Sequence, residues 1–142
     1  MDIKNTFYTV LDHTADLRVR IKGDNMVNLF ENAGYTLIDL MLNIGRHEKP
    51  DNIKIDISGI DIPDLMVRWL SEILYLFEGE NLIVTGINID NLTPDRLKSH
   101  LEVIHYNHRI HEILMEIKAV TYHQIEVTEN NGIWTANVIF DL

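Results

Sequence analysis

The spacing of apolar residues changes from helical to strand-like along the chain, and this change limits the possible folds most. Two segments, residues 24–42 and 61–77, have apolar residues at intervals of three and four. That spacing places them on one face of an α-helix. The first set is Met26, Leu29, Phe30, Ala33, Leu37, Ile38 and Met41, and the second is Leu65, Trp69, Leu70, Ile73, Leu74 and Phe77.

Capping and turn residues predict where these two helices begin and end. Asp24 follows Gly23 and can accept hydrogen bonds from the first turn of the first helix. Gly45 and Pro50 come after the last periodic residue of that helix. Asp61 stands two residues before Pro63, a start signal for the second helix, and Gly79 predicts its end.

The remaining segments alternate between apolar and polar residues, as strands do. Leu17, Val19 and Ile21 alternate with basic residues, and Ile53, Ile55 and Ile57 alternate with polar ones. Later candidate strands are residues 82–89, 97–106, 114–120, 124–129 and 133–141, and the residues 130–132, Asn-Asn-Gly, predict a hairpin turn between the last two. We therefore expect an α+β fold, a single two-layer domain over residues 1–142 with two main helices packed on one face of a mostly antiparallel sheet.

Composition excludes several classes of site. The 142 residues include no cysteine, which rules out disulfides, cysteine-ligated zinc, iron–sulfur clusters and thiol catalysis. The first residues lack the apolar core of a signal peptide, and no segment has the roughly 20 apolar residues of a membrane span. We expect a cytoplasmic protein without membrane association.

The chain has 22 acidic and 12 basic residues, a formal net charge of −10. Because phosphate backbones repel such a surface, we expect no direct binding of nucleic acid. A basic protein partner or a cation fits this charge, and so does a role in solubility alone.

Carboxylates at two places are candidate ligands for a hard cation. Asp12, His13 and Asp16 lie between the first two predicted strands. Asp141 and the α-carboxylate of Leu142 follow an apolar strand, and neighbouring negative groups repel unless solvent or a cation screens them. The alternatives are turn formation at the first place and a solvated tail at the second.

Other polar residues offer weaker signals. Lys118 lies within an otherwise apolar predicted strand, followed by Tyr122 and His123. Lys118 can point to solvent, neutralise nearby carboxylates, or act chemically if desolvated. Four histidines at 100, 105, 108 and 111 do not keep strand spacing, so we interpret them as a loop or sheet edge and not a zinc site. The chain contains no HExxH, Walker A, GxGxxG or GxSxG motif.

Several segments, in this order, together resemble the archease family. They are Leu-Asp-His-Thr-Ala-Asp at 11–16, Glu-Asn-Ala at 31–33, Asp-Leu-Met at 39–41, Trp-Leu-Ser-Glu-Ile-Leu-Tyr-Leu-Phe at 69–77, Ile-Lys-Ala-Val-Thr-Tyr-His at 117–123, and Val-Ile-Phe-Asp-Leu at 138–142. They span almost the whole chain. Residues 98–111 are less typical of the family.

The resemblance implies a function that composition does not. Archeases are accessory proteins that activate the RtcB-type RNA ligase of tRNA splicing, promoting its guanylation and multiple turnover, and are not enzymes themselves. The implied metal ligands are Asp16, Asp141 and the Leu142 carboxylate. Calcium is the first expectation, with magnesium and manganese as alternatives. Lys118 matches a family lysine, and Asp12, His13 and His123 are candidate functional neighbours.

Two other classes of function remain open at this stage. One is a small metal-dependent hydrolase using Asp16, Asp141 and His13, although no catalytic motif supports it. The other is a general chaperone or scaffold, which would need exposed apolar surface.

Overall fold

The computed structural model of the chain describes residues 7–13 and 15–142. The strands are β1 Tyr8–His13, β2 Asp16–Gly23, β3 Leu42–Asn43, β4 Asp51–Ser58, β5 Leu82–Thr93, β6 Arg96–His105, β7 Glu112–Ile113, β8 Ala119–Asn130 and β9 Ile133–Asp141. The helices are α1 Met26–Met41 and α2 Ile62–Glu80. Within this described part of the chain, neither helix is long and apolar enough to cross a membrane.

The strands form three sheets, and every described strand pair is antiparallel. One sheet has the order β1-β2-β9-β8, another has the order β4-β6-β5, and β3 pairs only with β7. The α+β fold class is therefore confirmed. The expectation of one sheet needs correction, because the strands divide into two larger sheets and a two-stranded ladder.

Both helices lie against both larger sheets. α1 contacts β2 and β9 on one side and β5 on the other, while α2 contacts β8 as well as β4, β5 and β6. Trp69 of α2 is fully buried between the helices, and its indole N–H donates to the Phe30 carbonyl of α1 at 2.8 Å. The helix pair thus forms the centre of a core that the two sheets share.

The helix ends differ from expectation at two positions. α1 begins after Asn25, whose side chain accepts from the Asn28 N–H at 2.8 Å, so Asn25 rather than Asp24 is the cap. Asp61 caps α2 as predicted. α2 continues through Gly79 and ends at Asn81, which adopts a left-handed conformation (φ 57°) that asparagine tolerates.

The predicted strand at residues 114–120 is mostly wrong. Residues 114–118 form no strand, and β8 begins only at Ala119. The Leu114 N–H instead donates to the Met41 carbonyl at 2.7 Å, so this segment is fixed to the end of α1. The hairpin at residues 130–132 is confirmed, since β8 and β9 are joined through Asn131 and Gly132, both at positive φ.

Gly23 sits where β2 turns into α1, and the helix approaches it closely. A Cβ atom there would lie 2.4 Å from the Leu29 backbone nitrogen and 2.6 Å from its Cα. We expect Gly23→Ala to lower the free energy of unfolding by about 1–3 kcal/mol, because backbone must move to relieve the overlap. Urea denaturation followed by circular dichroism measures this, with Lys22→Ala on the neighbouring exposed position as control. Equal stability of the two variants would contradict the close approach.

Candidate functional site

The pairing of β2 with β9 places two candidate metal ligands side by side. Asp16, the first residue of β2, is the cross-strand partner of Asp141, the last residue of β9. Leu17 and Phe140 beside them are fully buried, so the two aspartates lie on the outward face of the sheet. Cβ atoms of directly opposite residues are about 4.5–5.5 Å apart. Two residues 125 positions apart in the chain thus form one acidic pair, which we call the Asp16–Asp141 pair.

The surroundings of the pair are asymmetric. The Asp16 carboxylate is half-buried and lies 3.8 Å from the Nε of Arg18, whereas Asp141 is exposed. Leu142 is half-buried and packs against the core, which does not fit a fully solvated tail. Among the described side chains, which do not include those of Asp12 and His13, no three of His, Cys, Asp or Glu lie close enough together to hold a metal. The pair by itself brings together two carboxylates.

The other candidate residues lie at the same end of the sheet or beyond it. Lys118 precedes β8 instead of lying within a strand, and its backbone N–H donates to the Asp141 carbonyl at 2.8 Å. Its side chain is exposed, as is that of His123. The backbone of β1 places Asp12 opposite Arg18 and His13 opposite Leu17. The side chains of Asp12 and His13, and all of Thr14, lie outside the described residues.

β8 has a wide bulge directly after the site. Thr121 pairs with Ile139 and Glu126 pairs with Asn137, so five steps along β8 face two along β9 and three residues are extra. Gln124 in this bulge has a positive φ of 53°. Its side-chain carbonyl accepts from Arg18 Nη1 at 3.0 Å, across the intervening strand β9. Arg18 therefore links the bulge to the strand that holds Asp16.

A second contact fixes the bulge to the start of α2. The Tyr122 hydroxyl donates to Asp64 Oδ1 at 2.7 Å. The other oxygen of Asp64 accepts from the Arg68 Nε at 2.8 Å and from the Ile60 N–H at 2.9 Å. Asp64 is buried, and its carboxylate is stabilised there by these donors from β8, from α2 and from the residue Ile60 before α2.

These contacts shift the ionisation of both partners. The hydrogen bond from Tyr122 lowers the pKa of Asp64, with the Ile60 N–H and Arg68 adding to the effect and burial opposing it. The same hydrogen bond raises the pKa of Tyr122, since its proton is held by a carboxylate, and burial raises it further. At neutral pH Asp64 is thus ionised and Tyr122 is protonated.

Sequence reasoning missed three residues that organise this region, namely Arg18, Gln124 and Asp64. Arg18 lies two positions from Asp16 on the same face of β2, which strand alternation could have indicated. The Asp64 N–H donates to the Asp61 cap and the Asp64 side chain accepts from the Ile60 N–H, and an acidic residue three positions after a cap is a recognisable signal. Nothing in the sequence indicates the positive φ of Gln124.

The histidine segment is only partly as expected. His100 lies in β6, the central strand of its sheet, and its Nδ1 contacts the Asp90 carboxylate, so the assignment to a loop or edge is wrong for this residue. His108 and His111 do lie in the loop after β6. Strand spacing fails beyond His105 because β6 ends there.

The chain is thus an α+β protein in which two carboxylate residues lie opposite each other at the end of a four-stranded sheet. The model of the Archease protein family (MTH1598/TM1083) matches residues 8–142. The chain belongs to the archease family.

Individual relatives agree with this assignment. Protein archease of Pyrococcus furiosus is 31% identical over 137 residues, covering 92% of this chain and 95% of that protein. Protein archease of Methanosarcina barkeri is 30% identical over 139 residues, with 95% of each chain covered. The solution structure of Methanobacterium thermoautotrophicum protein 1598 matches with a TM-score of 0.77 and 28% identity over 99% of this chain and all of that one.

A more distant structure supports the fold alone. The crystal structure of a Thermotoga maritima protein, described as an archease and possible chaperone, matches with a TM-score of 0.63 at 19% identity. It covers 94% of this chain and 96% of that chain.

The lowered pKa of Asp64 predicts a specific loss of stability in acid. The folded pKa lies below the ordinary value of 3.8, so the ionised carboxylate stabilises the fold above that pH. This stabilisation disappears as the pH falls from about 4 through the folded pKa. We expect Asp64→Asn to be less stable than the wild type at pH 7 and to differ less from it at pH 2.

Thermal unfolding between pH 7 and pH 2 measures this difference. Asp24→Asn, an exposed aspartate outside the cluster, is the control and should follow the wild type throughout. A constant difference in Tm between Asp64→Asn and the wild type across this range would contradict the role of the Asp64 charge.

Proposed function

We propose that this protein activates an RtcB-type RNA ligase in tRNA splicing, promoting ligase guanylation and multiple turnover through a divalent-metal-binding acidic site. Membership of the archease family supports the accessory role. The single structural observation that supports the metal site is the opposition of Asp16 and Asp141 across β2 and β9. The lack of cysteine is compatible with the reducing cytoplasm, where we expect the protein to act.

The chemistry of the donor set suits a hard cation. Asp16 and Asp141 offer carboxylate oxygens, and the carboxylate of Leu142 would be the third ligand that the family resemblance implies. All-oxygen ligands favour calcium, with magnesium or manganese as alternatives. A bound cation would supply positive charge that relieves the repulsion between these groups.

The position of the site suits contact with another protein. The acidic pair lies on the outward face of the sheet, with the exposed side chains of Lys118 and His123 in the segments next to it. Tyr122 and Gln124 hold the β8 bulge in place through α2 and β2. A partner approaching this end of the sheet would meet carboxylates and a lysine on prearranged backbone, which lowers the entropy lost on binding.

The same geometry supports activation better than catalysis. A hydrolase needs a general base and an activated water held in a cleft. The acidic pair lies instead at the open end of a sheet. The net charge of −10 disfavours independent RNA binding, so RNA contact would come through the ligase.

The first prediction from this proposal concerns activity. Purified protein should raise the number of turnovers of its cognate ligase while joining no RNA and hydrolysing no GTP by itself. Single- and multiple-turnover ligation assays with and without the protein, plus phosphate release from GTP, measure this. Hydrolysis of GTP by the protein alone would favour the hydrolase alternative. Prevention of aggregation of unrelated unfolded proteins, without any effect on the ligase, would favour the chaperone that the description of the Thermotoga protein suggests.

The second prediction concerns the acidic pair. Asp16→Asn and Asp141→Asn should each lower calcium affinity by about tenfold or more, because even outer-shell groups of metal sites contribute that much. Neither variant should activate the ligase, so the number of turnovers should equal that of the ligase without any added activator. Asp51→Asn, an exposed aspartate at the start of β4 in the other sheet, is the matched control.

The fold should survive these changes, because each removes a repulsive charge from an outward position. Circular dichroism melting checks that expectation. A folded Asp16→Asn variant that activates the ligase normally would show that Asp16 is not part of the functional site.

A further inference from the structure

Arg18 lies beside the Asp16–Asp141 pair and reaches across the sheet to the β8 bulge. It is two residues from Asp16 on the outward face of β2, and its register partner on β9 is Ile139. Ile139 is 5% exposed although it is on the outward face, which fits an arginine side chain that crosses β9 at this position. On the far side of β9, Arg18 Nη1 donates to the Gln124 side-chain carbonyl at 3.0 Å. The guanidinium therefore lies between a candidate metal ligand and the bulge.

The contact between Arg18 and Asp16 is too long for a hydrogen bond. The Arg18 Nε lies 3.8 Å from Asp16 Oδ1, beyond the range of about 2.7–3.2 Å for hydrogen bonds from N–H to oxygen. The same nitrogen is buried and has no hydrogen-bond partner among the described residues. A buried charged donor without an acceptor is unfavourable, and the Asp16 carboxylate is just out of range. A second contact must therefore hold Arg18 in this position.

The β8 bulge supplies that second contact from a backbone position that is itself fixed. Gln124 has a positive φ of 53°, a conformation that costs a glutamine energy and that only its surroundings can maintain. Two residues earlier, the Tyr122 hydroxyl is bonded to the buried Asp64 of α2 at 2.7 Å. Because the bulge is anchored on α2, the Gln124 carbonyl can retain the Arg18 guanidinium against the attraction of the Asp16 carboxylate.

The positive charge of Arg18 opposes the binding of a cation at Asp16. Without a cation the guanidinium attracts the Asp16 carboxylate, and with a cation the two positive charges repel each other, so both effects favour the metal-free protein. A direct hydrogen bond from Arg18 would also occupy a carboxylate oxygen that the cation needs. The Arg18 side chain is 39% exposed and that of Asp16 is 33% exposed, so solvent screens these effects in part.

We propose that Arg18 competes with a divalent cation for Asp16, and that Gln124 weakens this competition by holding the guanidinium on the β8 bulge. Arg18 and Gln124 are thus positioning residues with opposite effects on metal affinity. Removal of the Arg18 charge strengthens cation binding, whereas removal of the Gln124 acceptor releases Arg18 towards Asp16 and weakens it. The shape of the bulge thereby sets the affinity of a site that lies across β9. This inference rests on the cation site of the proposed function.

Three single variants separate these effects. Arg18→Gln removes the charge beside Asp16. Arg20→Gln is the matched control, because it removes the same charge from the next outward position of β2, about 7 Å further along the strand, where Arg20 Nε donates to the Asn137 side chain at 3.1 Å. Gln124→Asn places at the positive φ a residue that tolerates it, and the shorter side chain withdraws the carbonyl from Arg18.

Isothermal titration calorimetry with calcium chloride at constant ionic strength measures the affinity of each variant. Arg18→Gln is expected to bind calcium about fivefold more tightly than the wild type, and Gln124→Asn about fivefold more weakly, as a partly exposed charge pair allows. Arg20→Gln should change the affinity by less than about twofold, because screening weakens the effect of a more distant charge. The double variant Arg18→Gln/Gln124→Asn should bind as Arg18→Gln does, because Gln124 acts through Arg18.

Several results would overturn the inference while leaving the cation site of the proposed function in place. Equal gains in Arg18→Gln and Arg20→Gln would show that only net charge matters. Unchanged affinity of Arg18→Gln or of Gln124→Asn would show that the two residues do not compete in this way. Weaker binding by the double variant than by Arg18→Gln would give Gln124 a purely structural role. Failure of the wild type to bind calcium, magnesium or manganese would instead remove the cation site itself, and this inference with it.

Discussion

The pairing of β2 with β9 fixes the register on which the candidate site depends. Eight consecutive residue pairs run from Asp16–Asp141 to Gly23–Trp134. Leu17, Val19 and Ile21 face the helices from β2, and a slip of one residue would turn all three outward. The burial of these side chains therefore excludes the registers one residue away from the one that sets Asp16 opposite Asp141. The hydrophobic core determines the geometry of a polar site on the opposite face.

The β8 bulge shows how the rest of the fold supports that site. Regular ladder pairing would continue β8 beside β9, but three extra residues interrupt that pairing. The bulge keeps its shape because Tyr122 is bonded to Asp64 at the start of α2 and Gln124 is bonded to Arg18 on β2. Tyr122 thus connects the first turn of α2 to the segment that contains His123. This explains why Asp64, which has no place in the acidic pair, is relevant to its surroundings.

The periodic spacing of apolar residues predicted most of the helices and strands. Both helices, the β2 alternation and the hairpin at Asn131 and Gly132 follow from local periodicity and from residues that tolerate positive φ. The division into separate sheets was not predictable, because alternation reveals which face of a strand is buried but not which strand lies beside it. Residues 114–118 are attached to the end of α1 by hydrogen bonds to the Met41 carbonyl. Their composition does not distinguish such a segment from a strand.

The candidate site was predicted as a set of residues but not as an arrangement. Asp16 and Asp141 were separate candidate carboxylates in the sequence, the family resemblance combined them into one ligand set, and the β2–β9 ladder places them opposite each other. Long-range partners such as Arg18 with Gln124, 106 positions apart, depend on the bulge and have no local signal.

The bulge has a further consequence for the behaviour of the molecule in a crowded solution. β8 is one of the two outer strands of its sheet, and an uninterrupted outer strand presents a row of free N–H and C=O groups to which another chain can add. The three extra residues after Thr121 break that row in the middle of the strand. A second copy would find matching donors and acceptors over only short stretches on either side. The irregularity beside the site thereby also makes the β8 edge a poor template for adding further chains into a fibre.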